Sequence, residues 1–89
     1  PMEYLEVLEG LSRTLGAQGR LDEAAEMARK AVEAARRQGD NAPLLGNSLD
    51  ALARVVQAQG RLDEAAELWR EVLACRAAAN GEGHPLHAE

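Results

Sequence analysis

The stretch AQGRLDEAAE occupies positions 17–26 and returns letter for letter at positions 58–67, which is 41 positions later. Matching residues flank both copies at the same offset, as with Leu8 and Leu49. From Gly39 onward the offset becomes 42, so the second unit carries one extra residue. A repeat at this spacing is typical of architectures in which small supersecondary units stack on one another.

Each unit has the pattern of two helices joined by a short turn. Leucines at three- and four-residue spacing predict a first helix over positions 3–17. Gly19 stands where a helix ends in a residue of positive φ, and Asp22 and Glu23 follow in the first turn of a second helix that ends near Gln38. The same pattern predicts a third helix over 44–59 and a fourth over 62–79.

The apolar positions indicate which face of each helix is buried. The second helix carries a row of small residues that permits close approach of a neighbour, namely Ala24, Ala25, Ala28 and Ala31. The third helix is expected to direct inward Leu45, Leu49, Leu52 and Val56, and the fourth Ala65, Leu68, Trp69, Val72 and Leu73. Turns of two or three residues force consecutive helices to run antiparallel.

The sequence therefore predicts an all-α fold, a short α-solenoid of two stacked antiparallel helical hairpins. We expect a single domain over 1–89, with a first repeat over about 1–41 and a second over about 42–83. Residues 84–89 would begin a third unit, with a fifth helix starting at Leu86. The break between the two hairpins falls at Gly39 to Pro43, where Asp40 or Asn41 can cap the third helix.

Composition excludes several classes of function. The net charge of −5 argues against nucleic-acid binding, which needs a clustered basic patch, and no apolar run is long enough to cross a membrane. Cys75 is the only cysteine, so no internal disulfide forms. These features favour a cytoplasmic protein, and a chain that begins with Pro1 and ends early in a third unit favours a piece of a larger scaffold or regulator.

The chain resembles the tetratricopeptide repeat family. The resemblance rests on Leu-x-x-Leu in the first helix, then Gln-Gly-Arg-Leu-Asp-Glu-Ala at 18–24, then a small-residue helix, all of which recur in the second unit. The long second helices and the Gly-Glu-Gly-His-Pro segment at 81–85 resemble the extended repeats of kinesin light chains. Ser12 departs from the family pattern, which usually has glycine there. The resemblance implies a protein-interaction module that binds a peptide or partner protein.

The resemblance also implies where a partner lies, because the first helix of each hairpin lines a concave groove in such arrays. The groove positions in this chain would be Glu6, Glu9, Arg13, Asn47, Asp50, Arg54 and Gln57, with Ala17 and Ala58 beside them. Arg13 and Arg54 hold equivalent places, so together they could bind an acidic side chain or a terminal carboxylate. Alternatively, each closes an ion pair on its own helix, with Glu9 and Asp50 respectively.

The other polar residues give little support to catalysis or metal binding. The acidic pairs Asp22–Glu23 and Asp63–Glu64 open helices on the surface, where nothing would shift their pKa values for acid–base chemistry. His84 and His87 lack the further ligands that a zinc site needs. Cys75 has no partner histidine at a recognisable spacing and is expected to be a small buried residue. We therefore expect no enzyme activity, no cofactor and no metal.

The fourth helix suggests an alternative function, which is self-association. Its apolar face would be exposed wherever no further helix packs on it, and such a surface usually marks an interface. The predicted self-association face is Leu68, Trp69, Val72 and Leu73. A homo-dimer or an oligomer with a swapped helix would result.

Overall fold

The computed structural model describes residues 2–39 and 42–79, and within these ranges the chain forms four α-helices. They are α1 (Met2–Ala17), α2 (Leu21–Arg37), α3 (Ala42–Ala58) and α4 (Leu62–Ala79). The predicted all-α class is confirmed. Helix α3 begins two residues before the predicted position 44, because Pro43 is accommodated in the first turn, where its missing N–H costs no hydrogen bond. The predicted cap at Asp40 or Asn41 and the predicted fifth helix lie outside the described residues.

The turn inside each hairpin is a Schellman motif centred on glycine. Gly19 has φ +81°, its N–H donates to the Gly16 carbonyl at 3.0 Å, and the Arg20 N–H donates to the Leu15 carbonyl at 2.9 Å. This pairing satisfies carbonyl groups that the end of α1 would otherwise leave without a donor. The positive φ predicted for Gly19 is confirmed.

The second hairpin repeats the same geometry. Gly60 has φ +85°, its N–H donates to the Gln57 carbonyl at 2.9 Å, and the Arg61 N–H donates to the Val56 carbonyl at 3.1 Å. The identical ten-residue stretches therefore encode identical turns, because the Schellman hydrogen bonds are local and depend on a glycine at one position.

The acidic residues after each turn stabilise the start of the following helix. Arg20 donates to both carboxylate oxygens of Glu23, at 2.6 and 3.0 Å, and this hydrogen bonding raises the pKa of Arg20. Asp22 and Asp63 occupy the first turns of α2 and α4, where a negative charge complements the helix dipole. The acidic residues therefore lie where a negative charge stabilises the start of a helix, as predicted from the sequence.

Helix α2 packs on both sides, against α1 and against α3. Its buried residues are almost all alanine: Ala24, Ala25, Ala28, Ala31, Ala34 and Ala35, together with Val32. One cluster joins α2 to α1 through Leu5 and Leu8, and another joins α2 to α3 and α4 through Leu49, Leu52 and Val72. Small side chains let the neighbouring helix axes approach closely, so the two hairpins stack into one continuous core.

The α2 and α4 helices run parallel and are connected by ion pairs. Arg29 Nη1 lies 2.9 Å from Glu64 Oε2, and Arg36 Nη2 lies 3.3 Å from Glu71 Oε2. The hydrogen bond from Arg29, followed by the charges of Arg29 and Arg61, lowers the pKa of Glu64 below its ordinary value. The structure thus forms two layers, α1 with α3 and α2 with α4.

We expect Arg29→Ala to raise the pKa of Glu64 toward its ordinary value. A lowered pKa in the folded state contributes stability that is present above the unfolded-state pKa and is lost as the pH falls through the folded-state pKa. The Arg29 variant should therefore lose less stability than the wild type on acidification below about pH 4.5. Carboxyl titration by NMR measures the shift, and an unchanged Glu64 pKa would contradict the pair.

The glycine of the second turn can be tested by substitution. Gly60→Ala should lower the free energy of unfolding by about 1–2 kcal/mol, because an alanine in the left-handed region is strained. A Cβ at Gly60 meets nothing within 4 Å, so the loss of stability would come from backbone strain and not from a steric clash.

Gly10→Ala is the matched control, since Gly10 also has open space but lies inside α1. This change should raise the free energy of unfolding by about 0.5–1 kcal/mol through helix propensity. Urea denaturation followed by circular dichroism measures both values. Equal effects of the two substitutions would mean that the turn does not constrain Gly60.

Candidate functional site

A groove lies between α1 and α3 and is closed at one end by the start of α2. It has a volume of about 560 Å³, within the range of small-molecule and peptide-anchor sites. Its walls are Glu9, Ser12, Arg13, Gly16, Leu21, Asn47, Asp50, Ala51, Arg54, Val55 and Ala58. The groove forms because α1 and α3 both pack on α2 and therefore lie side by side.

The structure brings five of the seven predicted groove residues together. Glu9, Arg13, Asn47, Asp50 and Arg54 all line the groove. They do so because α1 and α3 are equivalent helices of successive hairpins, so residues at the same place in each unit share one face.

The other two predicted residues do not line the groove. Glu6 is exposed on α1 and is absent from the groove walls. Gln57 lies toward α4, where its Oε1 accepts a hydrogen bond from the indole Nε1 of Trp69 at 3.1 Å. Gln57 lies at the edge of the groove-facing side of α3, and its hydrogen bond with Trp69 directs its side chain toward α4.

Several walls of the groove were not predicted from the sequence. Gly16 follows Arg13 by three residues, Ala51 follows Asn47 by four, and Val55 follows Ala51 by four, so an extended helical pattern could have identified them. Leu21 belongs to α2, and no pattern within α1 or α3 points to it. Its position depends on how tightly the first hairpin closes.

Asp50 is the most constrained charge of the groove. Its side chain, 14% exposed, accepts hydrogen bonds from Arg54 Nε through Oδ1 and from Arg76 Nη2 through Oδ2, the latter at 2.7 Å. The hydrogen bond and the charge of Asp50 raise the pKa of Arg54. The predicted ion pair between Asp50 and Arg54 is confirmed, and α4 contributes a second guanidinium that the sequence did not predict.

The equivalent pair in the first unit does not form. Glu9 Oε2 accepts a hydrogen bond at 2.9 Å from the Ser48 hydroxyl, which lies 39 residues away on α3. The Leu44 carbonyl oxygen lies 3.2 Å from the same hydroxyl, so it shares the single Ser48 proton with Glu9. Arg13 consequently has no ion pair within the described residues, and its guanidinium is the one positive group of the groove that is not neutralised there.

Ser12 lines the groove without a hydrogen-bond partner. The residue is 1% exposed, and its Oγ contacts no donor or acceptor in the part of the chain that the structure describes. The equivalent residue of the second unit is Ala53, which is buried without a polar atom. A buried hydroxyl without a partner costs free energy that an alanine avoids.

The predicted self-association face is only partly exposed. Leu73 is 66% exposed, so the expectation that it faces inward was wrong. Val72 is completely buried in the core, which confirms its expected inward direction and contradicts its place in the self-association face. Val72 faces α3 because it follows Ala65 by two helical turns on the same side. Leu68 and Trp69 are half-buried and pack against the same core cluster.

No group of three or more histidine, cysteine or acidic residues with metal-ligand geometry occurs among the described residues, and none of their helices is long and apolar enough to cross a membrane. Cys75 is half-buried against α3, where a Cβ on Gly46 would lie 3.2 Å from the Cys75 Cβ. His84 and His87 lie outside the described residues.

Comparison with known proteins identifies a family. The sequence model of the tetratricopeptide repeat family matches residues 3–78, which include all four helices almost completely. Searches found no matching curated protein and no matching solved structure.

The two buried serines should respond in opposite ways to removal of the hydroxyl. Ser12→Ala should leave the free energy of unfolding unchanged or raise it by up to about 1 kcal/mol, because the hydroxyl has no partner. Ser48→Ala should lower it by about 1 kcal/mol, because Glu9 loses its donor. Paired urea denaturation curves measure both changes. A loss of stability in the Ser12 variant as large as that in the Ser48 variant would show that Ser12 has a partner.

Proposed function

Because the chain belongs to the tetratricopeptide repeat family, whose repeats are generally protein-interaction modules, we propose that its groove binds a segment of a partner protein. The groove is the concave surface between α1 and α3 described above. Tetratricopeptide arrays present such surfaces because stacking of successive hairpins leaves the first helices along one side.

Arg13 carries the proposal, because it is the arginine of the groove that the described residues leave without an ion pair. Arg54 already forms an ion pair with Asp50, and Glu9 accepts a hydrogen bond from the Ser48 hydroxyl. A guanidinium without a local carboxylate can bind a carboxylate in a bidentate way, which a neutralised one does less readily. The favoured ligand is therefore a segment with an acidic side chain placed against Arg13.

The remaining walls suit the body of such a segment. Leu21, Ala51, Val55 and Ala58 give the groove an apolar lining of mostly small side chains, which leaves room for an apolar side chain of the partner. Gly16 lies in the same wall and adds no side chain at all. One apolar contact and one ion pair would orient a bound segment along α1.

The finer predictions made from the sequence stay predictions. They are the absence of enzyme activity, the cytoplasmic location, membership of a larger scaffold or regulator, and the kinesin-light-chain type of repeat. The identity of the partner protein belongs with them. Each is compatible with a groove that binds protein segments.

A second candidate function is self-association through α4. The observation in its favour is the 66% exposure of Leu73, beside the half-buried Trp69. Exposed apolar side chains grouped on one helix face commonly mark an interface. Because Val72 is buried, the proposed surface now consists of Leu73, Trp69 and the exposed Ala66.

Binding in the groove can be tested with an array of short synthetic peptides of acidic, neutral and basic composition. The wild-type chain should bind a subset of the acidic peptides. Gly16→Leu should weaken that binding at least about tenfold, because the new side chain enters the groove. A Cβ at Gly16 meets nothing within 4 Å, so the new side chain begins in open space.

Gly10→Leu is the control, since Gly10 has the same open space and does not line the groove. Arg13→Ala should weaken binding of the acidic peptides selectively, whereas Lys30→Ala, on the exposed side of α2, should not. Fluorescence anisotropy measures the dissociation constants. If the Gly16 and Gly10 variants bind equally well, the groove is not the binding surface.

A further inference from the structure

We propose that copies of this chain assemble head to tail, with α4 of one copy packing on α1 of the next as α2 packs on α3 within the chain. The proposal rests on self-association, the second function proposed above, and names the surface that receives α4. It follows from the internal repeat, because an interface formed between the first and second units can recur between the second unit and the first unit of another copy.

The receiving surface is an exposed apolar stripe on α1 formed by Tyr4, Val7 and Leu11. Leu11 is 45% exposed, whereas its equivalent in α3, Leu52, is 3% exposed because α2 covers it. Tyr4 is likewise exposed, and its equivalent Leu45 packs against the core clusters. The α1 stripe is therefore the surface that a helix of the α2 type covers in the second unit.

The opposite surface is the exposed face of α4. Leu73 is equivalent to Val32, which is 7% exposed and packs against Leu49 and Leu52 of α3. Ala66 is exposed, and its equivalent Ala25 is buried against Val55 of α3. The same positions of α2 are thus buried only because α3 is present.

The surfaces of α4 and of the first hairpin carry the residues equivalent to an ion pair of the internal interface. Glu64 binds Arg61 in its own turn and Arg29 across the interface. Its equivalent, Glu23, binds Arg20 in its own turn and forms no ion pair with another helix in the part of the chain that the structure describes. The residue equivalent to Arg29 is Arg70, which is exposed and forms no ion pair within the described residues.

The residues equivalent to a second polar contact of the internal interface lie on the two surfaces that would meet between copies. Gln59 Nε2 donates to Asp22 Oδ1 at 2.8 Å, which connects the turn of the second hairpin to the start of α2. The equivalent residues are Gln18 and Asp63, and both belong to the repeated ten-residue stretch. Charge and hydrogen-bonding complementarity therefore accompany the apolar match.

Three departures make the contact between copies looser than the internal one. The internal ion pair between Arg36 and Glu71 has no counterpart, because the equivalent residues are Ala77 and Lys30. Trp69 stands where α2 has Ala28, and Arg76 stands where α2 has Ala35. Larger side chains hold the helices further apart than alanines do. The assembly is consequently reversible and concentration-dependent, and Trp69, as the only tryptophan of the chain, reports on it by fluorescence.

A head-to-tail contact is heterologous, so it does not close on itself after two copies. The mass measured by sedimentation velocity should rise continuously with concentration, and the Trp69 emission should shift to shorter wavelength in parallel. A plateau at the mass of a dimer would instead indicate a symmetric contact and overturn the head-to-tail arrangement.

The decisive experiment mixes two variants. Leu11→Glu blocks the α1 stripe and leaves the α4 face intact, whereas Leu73→Glu does the reverse. Each variant alone should be a monomer, with self-association weakened at least about tenfold, and the two together should form a heterodimer that grows no further. Formation of that heterodimer also shows that both variants are folded.

Ala74→Glu is the matched control for the charge introduced on α4. Its equivalent is Glu33, which stays exposed although α3 packs on α2, so Ala74→Glu should assemble like the wild type. An additional charge exchange tests the polar contact. Arg70→Glu and Glu23→Arg should each weaken assembly, and mixing them should restore it in part.

The outcomes separate the proposal from its premise. If Leu73→Glu is monomeric while Leu11→Glu still dimerises, α4 pairs with α4, and self-association holds without the head-to-tail contact. If the wild type stays a monomer throughout the dilution series, neither holds, and the α1 stripe is covered by something other than a second copy.

Discussion

The structure depends on the packing of α2 against helices on two of its sides. Six alanines and Val32 form its buried surface, so α1 and α3 can both approach it closely. A helix that buries two sides needs small residues over a wide arc, because large side chains on both sides would hold the neighbours too far apart to share a core. Continuity between the two hairpins follows from this packing, since the two principal core clusters both include residues of α2.

The same packing produces the groove and decides its charges. Because α1 and α3 lie side by side on α2, Ser48 of α3 reaches Glu9 of α1, and Arg76 of α4 reaches Asp50. Two arginines that the repeat makes equivalent thereby acquire different partners. Arg54 is neutralised by Asp50, while Arg13 has no ion pair within the described residues, and a repeated sequence yields a groove with one open cationic site. Equivalent positions in a repeat are thus not equivalent in chemistry when their neighbours differ.

The ends of the array are asymmetric for a related reason. Among the described residues, no helix covers α1 as α2 covers α3, and none covers α4 as α3 covers α2, so each presents apolar positions that are buried in the other hairpin. Leu11 is exposed, whereas its equivalent Leu52 is buried. Leu73 is exposed, whereas its equivalent Val32 is buried. A groove that binds another protein and ends that bind another copy use separate surfaces, so the two proposed functions can coexist in one molecule.

The sequence by itself determined the local features: the helix positions, the glycines of positive φ at 19 and 60, the antiparallel hairpins and the ion pair between Asp50 and Arg54. These depend on residues within one or two turns of each other, and their spacing is visible in the chain. It also placed five of the seven expected residues in the groove, because helical periodicity assigns them to one face. Only the tertiary structure decided that Leu73 is exposed, that Gln57 pairs with Trp69 and that Glu9 binds Ser48 rather than Arg13. Each of those outcomes depends on which side chains of different helices the packing brings into contact. The spacing of residues within one helix does not contain that information.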